Sequence, residues 1–287
     1  MCSCKCFTRC FRNIMGSLCC RPSRINPYPP YDPKLSPNEI ICEIQKAFDK
    51  FEFGRLFFGI DTTGVNMWKG KKSSLKKCYH EISRDSSISD YSITSAFDST
   101  KLNHYQQLLL IFSNIFYHQL NESDMHLLSF GSSKSQDIIT EPLKKYTIKY
   151  TRASKDTCST PTELMETYRC GIKNISYGCG VNFAPLIKHI NKTEKICLGI
   201  DMLVIINVCM IDRTIETIKY FSSSSNIFIV ILTIGDTIRS DLKEISQLDN
   251  CIHYIFDAHY ETIPFWENIW QMMRQIHFKL SLFRDSR

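Results

Sequence analysis

The stretch L-F-F-G-I-D-T-T-G-V-N occupies residues 56–66. Its first five residues are continuously apolar, which predicts a short strand that is buried on both faces and stops at Asp61. The polar residues that follow would then leave the carboxyl end of this strand, where open α/β sheets bind their ligands. Asp61 and Thr63 carry oxygen atoms of the kind that Mg²⁺ prefers, whereas Val65 carries none.

The rest of the chain alternates strand-like and helix-like segments. Ser36-Pro37-Asn38-Glu39 is a capping box with proline at the first helical position, and Thr160-Pro161-Thr162-Glu163 repeats that pattern. Apolar periodicity extends this reading to further segments. The predicted helices are 37–53, 105–120, 161–173, 182–190, 214–221, 240–248 and 264–282, and the predicted strands are 56–60, 125–130, 203–206, 227–232 and 252–256.

Strands that alternate with helices of this length predict a doubly wound α/β fold, with a mostly parallel sheet and helices on both faces. No G-x-G-x-x-G or G-x-x-x-x-G-K-[ST] motif follows a predicted strand, so dinucleotide-binding and P-loop functions are not expected. The 287 residues are enough for one sizeable core. We therefore expect one domain, residues 37–287.

The formal net charge is +6, but it is unevenly distributed. Residues 1–24 hold five basic side chains and no acidic one, which leaves about +1 for the remainder. A broad nucleic-acid-binding face is therefore not expected. The longest apolar stretch, 202–211, is about half the length that crosses a bilayer, and residues 1–24 lack the apolar core of a secretory signal. These features favour a cytosolic address.

The first 24 residues form a basic arm that is rich in cysteine. Palmitoylation of two or more cysteines beside basic side chains would supply the two signals that stable membrane anchoring needs. A thiolate metal cluster is an alternative, although Cys-x-Cys spacing fits structural zinc sites poorly, and an unstructured tail is another. We expect an arm that contacts the membrane, with these candidate lipidation sites: Cys2, Cys4, Cys6, Cys10, Cys19 and Cys20.

Residues 25–36 connect the arm to the domain. Prolines and two tyrosines dominate this part of the chain, a composition that favours an extended, polyproline-like linker over packed structure. The expected organisation is therefore an arm at 1–24, a linker at 25–36 and the domain at 37–287.

Three motifs together resemble the von Willebrand factor type A domain of copines and of the plant copine-like RING ubiquitin ligases. They are D-T-T-G-V-N-M-W-K-G at 61–70, F-G at 130–131 and N-F-A-P at 182–185, and the likeness covers 37–283. The resemblance implies a metal-ion-dependent adhesion site at the carboxyl edge of the sheet, where the partner completes the coordination of the ion. We find no segment of this sequence that resembles the C2 domains or the RING of those families, so calcium-dependent lipid binding and ubiquitin transfer are not expected.

When the family's metal-ligand positions are compared with this sequence one by one, the resemblance implies a degenerate site, in which some ligand residues are replaced. Asp61 and Thr63 match the family pattern, whereas Val65 replaces a serine, Val181 replaces a threonine, and Asn207 stands where an aspartate is expected. Valine cannot coordinate an ion, so Mg²⁺ or Mn²⁺ would be held weakly, by Asp61 and Thr63. The residues alone leave an alternative in which these two side chains only satisfy backbone donors at the end of a strand.

No histidine or cysteine falls in a catalytic signature, although Cys179 lies between two glycines near the predicted edge. We expect no enzymatic activity and no cofactor. The predicted function is a noncatalytic protein-interaction domain, an adaptor or scaffold of copine type. We expect it to be tethered to the cytoplasmic face of a membrane, namely the plasma membrane. The alternatives are a noncatalytic component of a ubiquitin-ligase assembly and a metal-dependent ligand-binding domain with unusual ligands. The predicted partner-binding edge consists of Asp61, Thr63, Val65, Asn66, Val181, Asn182 and Asn207.

Overall fold

The computed structural model describes residues 28–66, 102–120, 125–134, 141–142, 157–178, 182–192, 199–208, 226–235, 248–256 and 264–286. All statements about structure below refer to these residues. None of the helices in these ranges is long and apolar enough to cross a lipid bilayer.

A mostly parallel sheet forms the centre of the protein. Within the described ranges its order is β3-β2-β1-β4-β5-β6, and β3 is a short antiparallel strand at the edge. The chain leaves β1 in one direction to form β2 and returns on the other side to form β4, so the winding reverses between β1 and β4. In such folds the crevice beyond this reversal is the usual place for a ligand. The strands are β1 Phe53–Asp61, β2 Met125–Phe130, β3 Glu141–Pro142, β4 Ile200–Asn207, β5 Ile227–Ile234 and β6 Cys251–Phe256.

Helices cover both faces of the sheet. The larger core cluster joins one face to α1, α2, α3 and α5, and the smaller one joins the opposite face to α4. This arrangement confirms the predicted doubly wound fold with a mostly parallel sheet. The described helices are α1 Pro37–Phe48, α2 His104–Phe116, α3 Pro161–Ile172, α4 Ala184–Lys192 and α5 Phe265–Asp285, and a 3₁₀ turn, Tyr117–Gln119, follows α2.

Local signals located most elements well. The Ser36 hydroxyl accepts from the backbone N–H of Glu39 and the Glu39 side chain accepts from that of Ser36, which confirms the first capping box. The predicted extent of α1 was wrong at its end, because the chain turns after Phe48 and joins the sheet at Phe53, which pairs with Ile200 of β4. The predicted helices 214–221 and 240–248 lie outside the described residues, apart from Leu248.

A buried ion pair joins β1 to β4 near their amino ends. Arg55 Nη2 lies 2.6 Å from Asp201 Oδ2, and both residues are 4% exposed. The same carboxylate accepts a hydrogen bond from the backbone N–H of Arg55 at 2.9 Å, and the guanidinium lies over the Phe57 ring. The pair therefore ties both a side chain and the backbone of β1 to one residue of β4.

The described end of the predicted linker packs on α5. The Tyr28 ring meets the rings of Trp270 and His277 edge to face, with both centroid distances 5.2 Å. Trp270 Nε1 donates to the carbonyl oxygen of Pro29 at 3.2 Å, and Tyr31 also contacts Trp270. From Tyr28 onward the chain is thus attached to the domain, unlike the extended linker expected from its composition, because the two tyrosines find an aromatic surface that composition does not reveal. The arm itself and residues 25–27 lie outside the described residues.

Candidate ligand-binding edge of the sheet

Three loops meet at the carboxyl edge of the sheet, next to the winding reversal. The loop after β1 runs beside residues 176–178, since the backbone N–H of Gly64 donates to Gly178 O at 2.6 Å and that of Gly178 donates to Thr62 O at 3.3 Å. The loop after β2 joins them, because the N–H of Ser133 donates to Ser176 O at 2.9 Å. Backbone hydrogen bonds therefore hold the three loops together. We call this candidate site, at the carboxyl ends of β1, β2 and β4, the edge.

Gly178 lies where these three loops are closest. A Cβ at this position would come within 2.7 Å of three backbone atoms, namely Ser132 C, Ser133 N and Gly131 O. Backbone atoms cannot move aside as a flexible side chain can, so a side chain at 178 would force the loops apart. The sequence analysis did not single out Gly178, and a glycine beside a cysteine gave no local sign of this close approach.

Asp61 occupies the centre of the edge and is 0% exposed. Its Oδ1 accepts a hydrogen bond from the backbone N–H of Thr63 at 2.9 Å, and its Oδ2 accepts one from that of Val208 at 3.2 Å. Burial raises the pKa of the Asp61 carboxyl above its ordinary value, although these hydrogen bonds oppose the rise. The carboxylate therefore joins its own loop to the end of β4.

Asn66 closes the loop that Asp61 begins. Its Nδ2 donates to the carbonyl oxygens of Asp61 and Thr63, at 3.0 and 3.2 Å, and its Oδ1 accepts from the Tyr105 hydroxyl at 2.8 Å. Asn66 is 0% exposed, so in this conformation it holds the loop against α2 and does not itself reach a partner.

A row of polar side chains crosses three strands at the edge, on the face that carries α4. Ile60 is in register with Ile206, which places Asp61 beside Asn207, and Asn207 is in register with Thr233. Thr233 Oγ1 lies 2.8 Å from Asn207 Oδ1. It also lies 3.0 Å from Nε2 of His253, whose pKa burial lowers to about 4, so this histidine is neutral near pH 7. Sequence analysis missed Thr233 and His253, because each stands alone within an apolar strand.

Two buried polar atoms at the edge have no hydrogen-bond partner among the described residues. They are Nδ2 of Asn207 and Oγ1 of Thr63. The Thr63 hydroxyl lies close enough to Asp61 to help lower the pKa of that carboxyl, but it makes no hydrogen bond of good geometry. One unpartnered atom is thus an amide donor, and the other is a hydroxyl.

This donor set fits a divalent cation poorly. Mg²⁺ needs near-octahedral coordination by oxygen, but Val65 carries no side-chain oxygen, and the unpartnered atom of Asn207 is a nitrogen that carries hydrogen. Within the described ranges, no group of three or more histidine, cysteine, aspartate or glutamate side chains could hold a metal ion. Val181, at another predicted ligand position, lies outside those ranges.

The accessible surface of the edge is formed by residues above this buried polar row. Val65 is half-buried and packs against the larger core cluster. Asn182 is also half-buried, and its Oδ1 accepts from the N–H of Ala184 at 3.0 Å, which caps the start of α4. We call the accessible surface the rim. Among described residues it contains Gly64, Val65, Ser133, Lys134, Ser176, Tyr177, Gly178 and Asn182.

The structure thus brings together most of the predicted partner-binding edge, in two layers. Asp61, Thr63, Asn66 and Asn207 form the buried layer, with exposures of 1% or less. The predicted residues that reach the surface are Val65 and Asn182, and sequence analysis missed the exposed rim residues on the loops after β2 and α3. Val181 and Cys179 lie outside the described residues. The prediction that this edge binds a partner stays a prediction.

No protein-family model and no curated protein matches the chain. Among solved structures it is similar to "von Willebrand factor type A from Catenulispora acidiphila", with 10% sequence identity and a TM-score of 0.40. The match covers 79% of this chain and 43% of the other chain. The likeness concerns the fold alone. The copine-type assignment and the degenerate adhesion site remain predictions from the motifs.

Replacement of Gly178 by alanine is expected to destabilise the protein, because the added Cβ meets backbone atoms of the loop after β2. Gly64→Ala is the matched control, since a Cβ there meets only Gly178 O, at an ordinary contact distance of 3.4 Å. In urea unfolding, Gly178→Ala should lose about 1–3 kcal/mol of unfolding free energy by overpacking, and Gly64→Ala should lose clearly less. Equal losses would show that the loops are not close-packed at Gly178.

The stability of the protein should depend on pH through Asp61. Because folding raises the pKa of this carboxyl, its favourable contribution is fully present below the ordinary value of 3.8 and is lost as pH rises through the raised pKa. Asp61→Asn removes this titration. The unfolding free energy of the natural protein minus that of Asp61→Asn should therefore fall as pH rises from 4 toward 7. A flat difference for Asp61→Asn would contradict the assignment.

Proposed function

We propose that this protein is a noncatalytic protein-interaction domain, an adaptor of copine type, that is tethered to the cytoplasmic face of a membrane and binds a protein partner at the rim without a metal ion. The observation that carries the proposal is the state of Asp61. Its carboxylate is buried, and its two oxygens accept backbone N–H groups of Thr63 and Val208.

We infer that a carboxylate in this setting supports the edge, and that the absence of a side-chain oxygen at Val65 leaves a shared cation with too few ligands. In a metal-dependent adhesion site the ion provides much of the attraction for the partner. Without it, binding depends on the shape and composition of the rim. Val65 adds apolar surface there, and Ser133, Ser176 and Lys134 add exposed polar groups. Interfaces of moderate size commonly combine an apolar centre with such a polar border.

The tethering half of the proposal comes from the composition of residues 1–24. Palmitoyl chains on cysteines of this arm would each contribute about 0.8 kcal/mol per buried CH₂, and neighbouring basic side chains would add roughly 1 kcal/mol each near an anionic leaflet. Two such signals together give stable anchoring. Membership of a ubiquitin-ligase assembly is a further possibility for the partner, and it rests only on the motif at 61–70.

The interaction surface is tested by one charge reversal at the rim and one away from it. Lys134 is exposed on the loop after β2, and Lys192 is exposed at the end of α4, away from the edge. Full-length protein carrying Lys134→Glu should lose most of its chemically crosslinked partner from cell extract in the presence of chelator. Lys192→Glu should retain it. Equal crosslinking by both variants would place the interface away from this part of the rim.

A metal-dependent function is the second candidate, and the unpartnered Thr63 hydroxyl is the observation that favours it. The melting temperature of the full chain, measured in chelator and then in millimolar Mg²⁺, Mn²⁺ or Ca²⁺, distinguishes the two. We expect no change for the natural protein. The variant Val65→Ser/Val181→Thr/Asn207→Asp should gain several degrees, because an ion at a hundredfold excess over its Kd adds about 2.7 kcal/mol to stability.

The same measurement on Asp61→Ala provides the control for the metal test. If the natural protein gains stability with a divalent ion and Asp61→Ala does not, then binding through a shared metal replaces the metal-free mechanism proposed here.

A further inference from the structure

The outer face of α5 carries the two large hydrophobic side chains that stand exposed in the described part of the protein. Phe278 is 52% exposed and Leu282 is 42% exposed. They are four residues apart on one helix, so they lie on the same face, one turn apart. Two neighbouring exposed hydrophobic side chains on one helix face can mark a surface that contacts another protein or a membrane.

This face lies at the end of the sheet opposite the edge. The Arg284 guanidinium lies 5.2 Å from the centroid of the Phe51 ring, just before β1 begins, and the Phe283 ring packs on Phe228 near the start of β5. The beginning of α5 is at the other end, where Phe265 contacts Phe256, the last residue of β6. The second half of α5 is therefore beside the amino ends of the strands.

The chain that leads to the cysteine-rich arm departs from this same half of α5. Tyr28 is the first described residue, and its ring packs on His277, the neighbour of Phe278 in sequence. From His277 to Leu282 the helix rises by roughly 8 Å. Tyr28 thus lies on the same helix as the two exposed hydrophobic side chains, and the 27 residues that precede it in sequence contain the six cysteines and five basic side chains of the arm.

Basic side chains flank the exposed hydrophobic pair. Residues 274–286 contain Arg274, Lys279 and Arg284, and Asp285 is the one acidic residue among them, paired with Arg284 at 3.1 Å. Apolar side chains bordered by lysine and arginine are typical of helices that lie in the interface of an anionic membrane. The charge of this helix segment has the same sign as that of the arm.

We propose that the second half of α5 is a membrane-contact surface, in which Phe278 and Leu282 insert into the interface of an anionic lipid layer while the exposed Arg274 meets its headgroups. This inference rests on the proposed membrane tethering and adds an orientation to it. With the amino end of the sheet against the lipid, the rim at the opposite end faces the cytosol, where a protein partner can reach it.

The test uses full-length, unacylated protein and cosedimentation with vesicles of equal parts phosphatidylcholine and phosphatidylserine, beside vesicles of phosphatidylcholine alone. Phe278→Ser/Leu282→Ser should lower binding to the anionic vesicles by about tenfold, because it removes apolar area from the membrane contact. Phe278→Leu/Leu282→Phe keeps both hydrophobic side chains and should bind as the natural protein does. Because both positions are exposed, neither variant should change the urea midpoint.

Membrane fractionation of the acylated protein in cells separates this inference from the proposed tethering. Unchanged vesicle binding by the serine pair, together with loss of membrane association when the six arm cysteines become serine, would overturn the α5 surface and leave tethering intact. Reduced vesicle binding by the serine pair, together with unchanged membrane association when the six arm cysteines become serine, would support the α5 surface and overturn tethering by acylation. Conversion of a dimer to a monomer by the serine pair, without lipid, would assign the surface to self-association and overturn the proposal.

Discussion

The backbone N–H of Val208 donates to the Asp61 carboxylate across the point at which the winding of the sheet reverses. This bond joins the ends of β1 and β4, and the buried ion pair between Arg55 and Asp201 joins the same two strands at their other end. Removing one partner of a buried pair typically costs about 3–5 kcal/mol, because the remaining charge has no compensation. The two contacts join β1 to β4 near both ends, in the register that places Asp61 beside Asn207, and the pairing of β4 with β5 continues this polar row to Thr233.

That row determines what chemistry the edge can support. Asp61 is fully buried, and each of its two oxygens accepts one backbone N–H group, from Thr63 and from Val208. A substitution that removed the carboxylate would leave these buried N–H groups without partners, at a cost of about 1–3 kcal/mol each. The hydrogen bonds of this buried row therefore hold in place the loops that carry the rim residues. The same fold places the rim and the exposed face of α5 at opposite ends of the strands.

Local sequence signals predicted the elements well where the cause of the structure is itself local. The capping box at Ser36 starts α1, and the apolar run 125–130 matches β2 residue for residue. The position of Asp61 at the carboxyl edge followed from the same logic, because residues 56–60 form an apolar run that indicates a buried strand and Asp61 is the first polar residue after it. Predicted boundaries failed at the end of α1 and the start of β1, where pairing of Phe53 with β4 overrides local preference.

The sequence by itself determined the fold class, the course of the main strands and helices, and the chemical identity of the residues at the edge, because periodicity and caps act over a few neighbouring residues. Only the tertiary structure decided which of those residues are buried and what they contact. Gly178 matters because three loops cross there, Arg55 because Asp201 lies beside it on β4, and Tyr28 because Trp270 and His277 offer it a surface. Each of these contacts joins residues far apart in the chain, where no local pattern records the distance between them.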